Sequence, residues 1–178
     1  MALTSRRDAD LWPAPFVVGV GRSGTTLLRL MLDAHPRLAI PPETHFLPEL
    51  IAQARQRVPA DELVSEIVAA RNWDDFGLDA GALRGRVAAL DDARAAPVLR
   101  AFYSLYAERQ GKQRWGDKTP IYVKRMRLIS AVLPEARFVH LIRDGRDVAL
   151  SRRRRGMGAG KPIADLAERW RRRITLAR

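Results

Sequence analysis

Read for the succession of apolar and polar positions, the chain begins polar and proline-punctuated, then turns abruptly apolar at Phe16-Val17-Val18-Gly19-Val20. That run is short and rich in β-branched residues, which predicts a buried strand. Gly21-Arg22-Ser23-Gly24-Thr25-Thr26 follows as a turn. Leu27, Leu28, Leu30, Met31 and Leu32 then predict a helix packed on a sheet and ended by Pro36. Leu38-Ala39-Ile40 predicts a second strand, stopped by Pro41-Pro42, with a helix from about Phe46 to Arg57 behind it. Residues 58–110 carry three helical patterns: Asp61 to Ala70 with Asp61 as its cap, Asp79 to Leu90, and Ala96 to Arg109. A short strand ends near Gly116, and Pro120 suits the first turn of a helix running to Val132. Ala136 to Ile142 predicts another buried strand, with a helix beginning near Asp144. Residues 156–161 read as a flexible joint. Pro162 to Ala177 predicts a last helix, with Leu166, Trp170 and Ile174 on the face that packs on the body. Strands alternating with helices imply an α/β domain of three layers with a mostly parallel sheet. No repeat, linker or second domain is visible, so residues 1–178 form one domain, with 58–110 as a helical insert.

The first strand, turn and helix make a phosphate cradle. Glycines let the backbone approach an anion closely, and a helix start supplies free N–H groups and a positive dipole end. Thr25 and Thr26 add hydroxyl donors and Arg22 a fixed planar charge. The usual nucleotide loop reads G-x-x-x-x-G-K-S/T, with its lysine serving the β- and γ-phosphates. Gly19 and Gly24 keep that spacing, but Thr25 stands in the lysine's place. The anion expected here is therefore not a triphosphate.

Two other junctions draw attention. Glu43 follows the second strand, where α/β sheets place their chemistry. Its position suits a helix-capping acid and a general base equally well. Lys118, one of only four lysines beside 28 arginines, sits in Gly116-Asp117-Lys118-Thr119-Pro120. It reads either as a surface lysine or as a functional one. Arg143 leaves the end of the last strand, and Ser151 lies eight positions later, about two helical turns along.

Composition narrows the field. At 178 residues and 47% hydrophobic content the chain has the interior of one globular domain. It has no cysteine, which excludes disulfides and thiolate metal sites. His35, His45 and His140 show no metal-ligand spacing, and His140, inside a strand, reads as core. The net charge is +12, of which residues 152–178 carry +8. Basicity thus belongs to one end of the chain. No aromatic interleaving or nucleic-acid motif accompanies it, so a solvated face partly serving an anionic cofactor is the expectation. No segment reaches the roughly 18 apolar residues that span a bilayer, and Met1 to Pro15 has no apolar signal core. A cytoplasmic protein is expected.

The loop Arg22-Ser23-Gly24-Thr25-Thr26, with Met31-Leu32-Asp33-Ala34-His35-Pro36 and Glu43-Thr44, resembles the 5′-phosphosulfate loop of sulfotransferases that use 3′-phosphoadenosine 5′-phosphosulfate. It is most similar to the branch of the tyrosylprotein and many bacterial sulfotransferases. The resemblance implies a P-loop (nucleoside-triphosphate-hydrolase-like) fold, and a 5′-phosphate held by Arg22, Ser23, Gly24, Thr25 and Thr26. It makes Glu43 the catalytic glutamate and Lys118 the catalytic lysine. Arg143 and Ser151 match the family's 3′-phosphate motif. The cofactor implied is 3′-phosphoadenosine 5′-phosphosulfate, with no metal. Arg22 and Lys118 would neutralise transition-state charge. The resemblance covers only the N-terminal part of the family's domain, which runs on through a further strand and a cofactor-covering segment. The acceptor, a hydroxyl or amine, has no readable code in the insert. A P-loop kinase-like phosphotransferase is the alternative enzyme. A non-catalytic nucleotide-binding module, or a basic protein on nucleic acid, is the alternative outside catalysis.

Overall fold

The computed structural model describes residues 12–56, 58–92, 94–157 and 160–177. In chain order these form β1 (Ala14–Gly19), α1 (Thr25–Asp33), β2 (Leu38–Ala39), α2 (Leu47–Arg55), α3 (Ala60–Val68), α4 (Ala80–Ala88) and α5 (Ala95–Arg109). They continue as β3 (Arg114–Trp115), β4 (Asp117–Lys118), α6 (Met126–Val132), β5 (Ala136–Leu141), α7 (Gly145–Arg154) and α8 (Ile163–Thr175).

The central sheet has the order β4-β1-β5, and both pairings are parallel. β1 lies in the middle, which is why its sequence is apolar almost without alternation. Phe16, Val17 and Val18 are fully buried. A second, two-stranded parallel ladder joins β2 to β3. Gly116 links the two ladders: its N–H bonds to Ala39 C=O at 2.9 Å, and a Cβ there would lie 2.6 Å from Pro15 C=O. The missing side chain lets the chain step from β2 to β1, and this step sets β4 in register with Phe16 and Val17.

Helices α2 to α5 gather over one side of the sheet around a continuous core. Phe16 meets Tyr103, Trp115 and Phe138 at ring-centroid distances of 6.3, 6.3 and 5.6 Å, and Tyr103 stacks on Trp115 at 4.5 Å. Such ring pairs contribute about 0.5–1.5 kcal/mol each beyond the area they bury. Separately, α7 and α8 form a small cluster of Val148, Ile174 and Trp170 against Val20. Ile174, Leu166 and Trp170 do form the packing face that their spacing predicts.

Several expectations change. The 120–132 segment is not one helix but a 3₁₀ turn at Pro120–Lys124, a break at Arg125, and α6. Asp61 does not cap α3; Pro59 precedes the helix, and Asp61 and Glu62 lie in its first turn, where they favour the dipole. The expected end of α2 at Arg57 lies outside the described residues, and the helix closes at Arg55. β5 is less buried than its composition implies. Among the described residues it has no second neighbour in the sheet, and Val139 within it and Ile142 just beyond it are 42% and 51% exposed. α1 packs on the sheet through only part of its apolar surface, leaving Leu27, Leu30 and Met31 open. Apolar composition predicts a strand or helix, but not what covers it. His140 is half-buried rather than core, and burial lowers its pKa.

Candidate active site

Three neighbouring parallel strands deliver the predicted residues at their carboxyl ends. β1 runs into the glycine loop, β4 ends at Lys118, and β5 runs toward Arg143. An α/β sheet concentrates ligand chemistry at this edge because helix starts and exposed side chains converge there.

In the loop, Arg22 and Gly24 take left-handed backbone angles, with φ of 80° and 93°. Gly24 is the N-cap of α1. The first helical bond runs from Leu28 N–H to Gly24 C=O at 3.1 Å. The N–H groups of Thr25, Thr26 and Leu27 therefore have no intrahelical acceptor, and they form the positive end of the helix. The Ser23 N–H is already bonded to Val20 C=O at 3.2 Å. Its hydroxyl, by contrast, is buried without a partner among the described residues. Thr25 is buried and Thr26 exposed. A loop with free donors, an orphaned hydroxyl and no acid fits an anionic group.

The second predicted anion site adjoins the first. Arg22 Nε donates to Ser151 Oγ at 3.1 Å, across 129 positions of sequence. Arg143 Nη1 reaches Arg22 C=O at 3.5 Å, at the limit of a hydrogen bond, and its guanidinium lies 3.4 Å from Asp147. Arg22, Arg143 and Ser151 are thus brought together. Asp144 caps α7 by accepting from Arg146 N–H at 2.8 Å, and the Arg146 side chain holds its carboxyl down at about 2. Trp170 Nε1 donates to Arg143 C=O at 3.0 Å and ties α8 to this turn.

The third group lies at the end of β4. Lys118 Nζ bonds Glu43 Oε1 at 2.6 Å, and His45 Nε2 lies 3.1 Å from Glu43 Oε2. Asn72 Nδ2 holds the Glu43 C=O at 2.9 Å. Partial burial pushes the Glu43 carboxyl up, but hydrogen bonds and charge from His45 and Lys118 outweigh it and leave the pKa below its ordinary value. The hydrogen bond to Glu43 raises the His45 pKa. Lys118 is buried, so its charge is carried by this pairing in a partly desolvated place.

Beneath the pair lies a polar network that the sequence reading missed. Asp117 is fully buried and accepts at Oδ2 from Thr44 Oγ1 at 2.8 Å and from Tyr103 Oη at 2.9 Å. Thr44 Oγ1 also lies 2.9 Å from Tyr122 Oη, and Thr44 N–H donates to Thr119 Oγ1 at 3.0 Å. Thr44 follows Glu43 and Asp117 precedes Lys118, so these bonds join the two backbones that carry the pair. Burial raises the Asp117 pKa to about 6, against the hydrogen bonds from Thr44 and Tyr103 that favour its charge. The signal available was the acid beside Lys118 in a stretch otherwise read as a turn.

Comparison with known proteins bears on this arrangement. Residues 13–178 match the sequence model described as "Sulfotransferase family". The chain is 30% identical over 134 residues to protein-tyrosine sulfotransferase 1 of Homo sapiens, covering 75% of this chain and 32% of that protein. It is 31% identical over 147 residues to nodulation protein NoeE of Sinorhizobium fredii, covering 80% and 32%. The chain thus spans about a third of the length of the curated relatives it matches. Among solved structures it superposes on the sulfotransferase domain of the Synechococcus PCC 7002 olefin synthase with a TM-score of 0.60 at 25% identity, covering 97% of this chain and 63% of that one. A domain from the curacin biosynthetic pathway matches with a TM-score of 0.56 at 23% identity, covering 93% and 61%.

Proposed function

The chain belongs to the sulfotransferase family, and from that premise we propose that it moves a sulfuryl group from 3′-phosphoadenosine 5′-phosphosulfate to a hydroxyl or amine acceptor in the cytoplasm. The observation that carries the reading is the placement of an acid–lysine pair, 2.6 Å apart, beside a lysine-free phosphate loop. The donor supplies an activated sulfuryl group whose leaving oxygen belongs to a phosphate.

The loop N–H groups of Thr25 and Thr26, the α1 start, and the Ser23, Thr25 and Thr26 hydroxyls hold the 5′-phosphate, with Gly24 giving it close approach. Arg143 and Ser151 hold the 3′-phosphate. Two anion sites in contact through Arg22 explain how the loop dispenses with a lysine. Glu43 takes the acceptor proton, since its lowered pKa keeps it ionised and able to accept at neutral pH. Lys118 and Arg22 neutralise charge that grows on the sulfuryl and bridging oxygens, as fixed cations do in phosphoryl transfer. These cations supply the countercharge without a metal.

Calorimetric titration with 3′,5′-adenosine bisphosphate, against 5′-AMP and ATP–Mg²⁺, tests the reading. Selective binding of the bisphosphate is expected. Arg143→Ala should weaken it far more than it weakens 5′-AMP, and Glu43→Gln and Lys118→Met should lower turnover with donor affinity kept. Equal loss for both nucleotides in the Arg143 variant, or preference for ATP–Mg²⁺, would overturn the assignment.

A further inference from the structure

Among the described residues only two non-glycines, Arg22 and His45, have a positive φ, and both stand at this site. His45 has a φ of 50° and is the centre of a tight turn in which Phe46 N–H bonds back to Thr44 C=O at 2.5 Å. A turn closed across one residue at positive φ is strained, and strain of this kind persists where the surroundings enforce it. Here they do. Thr44 is locked to Thr119 and Asp117, Asn72 holds the Glu43 carbonyl, and Phe46 is buried in the core.

The result is an ordered row. Lys118, with 6% of its side chain exposed, contacts one oxygen of Glu43, and His45, with 56% exposed, contacts the other. A proton arriving on Glu43 cannot pass to Lys118, which already bears three. His45 is the neighbour of Glu43 that both accepts a proton and reaches water. Resting on the sulfotransferase reading above, we propose that His45 is a positioning residue that holds Glu43 and conducts the acceptor's proton from it to solvent. As the acceptor oxygen bonds to sulfur, the bond from sulfur to the phosphate oxygen breaks, and that oxygen keeps the electron pair. The acceptor's proton moves to Glu43; the imidazole, whose Nε2–H held the carboxylate, shifts through water to its Nδ1–H tautomer, takes the proton from Glu43 at Nε2, and the imidazolium releases its Nδ1 proton to water. The carboxylate is thereby restored for the next turnover.

The charged groups acting on His45 are Glu43, Lys118 and, further in, Asp117. Nitrogen-15 NMR of the whole chain reads their effect directly, because it contains only three histidines. His45 should titrate above its ordinary value, Glu43→Gln should bring it back, and Lys118→Met should raise it further. The kinetic arm uses water as acceptor, following hydrolysis of 3′-phosphoadenosine 5′-phosphosulfate. His45→Asn is the variant, since asparagine tolerates the same backbone angle. It should slow hydrolysis by about tenfold at unchanged donor KM, remove the pH-rate limb that follows His45, and recover with added imidazole. A His45 titration indifferent to Glu43→Gln, or a His45→Asn enzyme with an unaltered rate and pH profile, overturns the proposal. Failure of the chain to bind the adenosine bisphosphate would instead sink the sulfotransferase reading, whatever His45 does.

Discussion

Replacing Asp117 with asparagine should abolish the pH dependence that this one buried acid imposes on folding. Its folded pKa is about 6 against an ordinary 3.8, with burial as the main cause. A shift of about two units corresponds to about 3 kcal/mol. The raised value means that the native state binds the proton more tightly than the unfolded chain. Stability from this group is therefore fully present below pH 3.8 and is lost as pH rises through about 6, after which the loss is constant. Asparagine keeps an acceptor for Thr44 and Tyr103 but does not titrate. It adds an N–H₂ group near the place of Oδ1, which has no partner among the described residues, so a constant offset is expected as well. The offset does not change with pH, and the difference between the two proteins does. Urea unfolding of both, at steps from pH 4 to pH 7.5, should show the wild type losing about 2.5 kcal/mol relative to Asp117→Asn, nearly all of it below pH 6.5. A difference that stays flat across that range would refute the argument. It would mean either that Asp117 is hydrated or that it keeps its proton throughout.

Two further predictions concern the frame that holds the site. Glu135 is buried and accepts from Arg100 through both oxygens, at 2.7 and 2.9 Å, so Arg100→Ala leaves a buried carboxylate without this fork and should cost about 3–5 kcal/mol by chemical denaturation. Gly19 closes β1 against β5, where an added Cβ would meet the Leu141 carbonyl oxygen at 2.6 Å. Gly19→Ala should destabilise by about 1–3 kcal/mol and also weaken binding of the adenosine bisphosphate, because the loop begins two residues later.

What the sequence made legible was local. The loop could be read because its glycines, hydroxyls and arginine are contiguous and their roles follow from chain geometry. Glu43, Lys118 and Arg143 could each be placed beyond a strand for the same reason. Their meeting could not be read. Glu43 and Lys118 are 75 positions apart, and their contact depends on the step at Gly116 that puts β4 beside β1. A strand of two residues has no period to detect, so Asp117 looked like part of a polar turn when it is a buried acid in the central sheet. The same limit misled in the other direction at β5, whose apolar run described its propensity but not the exposure of Val139.

The residues that do the chemistry and those that hold it in place differ in this respect. A phosphate loop is a property of eight consecutive residues, and a mutation there acts where it is made. The acid–lysine pair is instead a property of two backbones joined by Thr44, Asp117, Thr119, Tyr103 and Tyr122, drawn from three separate stretches of chain. Removing Tyr103 Oη takes a donor away from Asp117 and leaves Glu43 and Lys118 untouched in sequence. It should still raise the Asp117 pKa, since a hydrogen bond to the charged form is lost. Tyr103→Phe should therefore move the stability loss of the wild type to higher pH in the same urea series, while Asp117→Asn with Tyr103→Phe shows no such window. If the window stays where it is in Tyr103→Phe, the hydroxyl does not support the carboxylate and the network is packing alone.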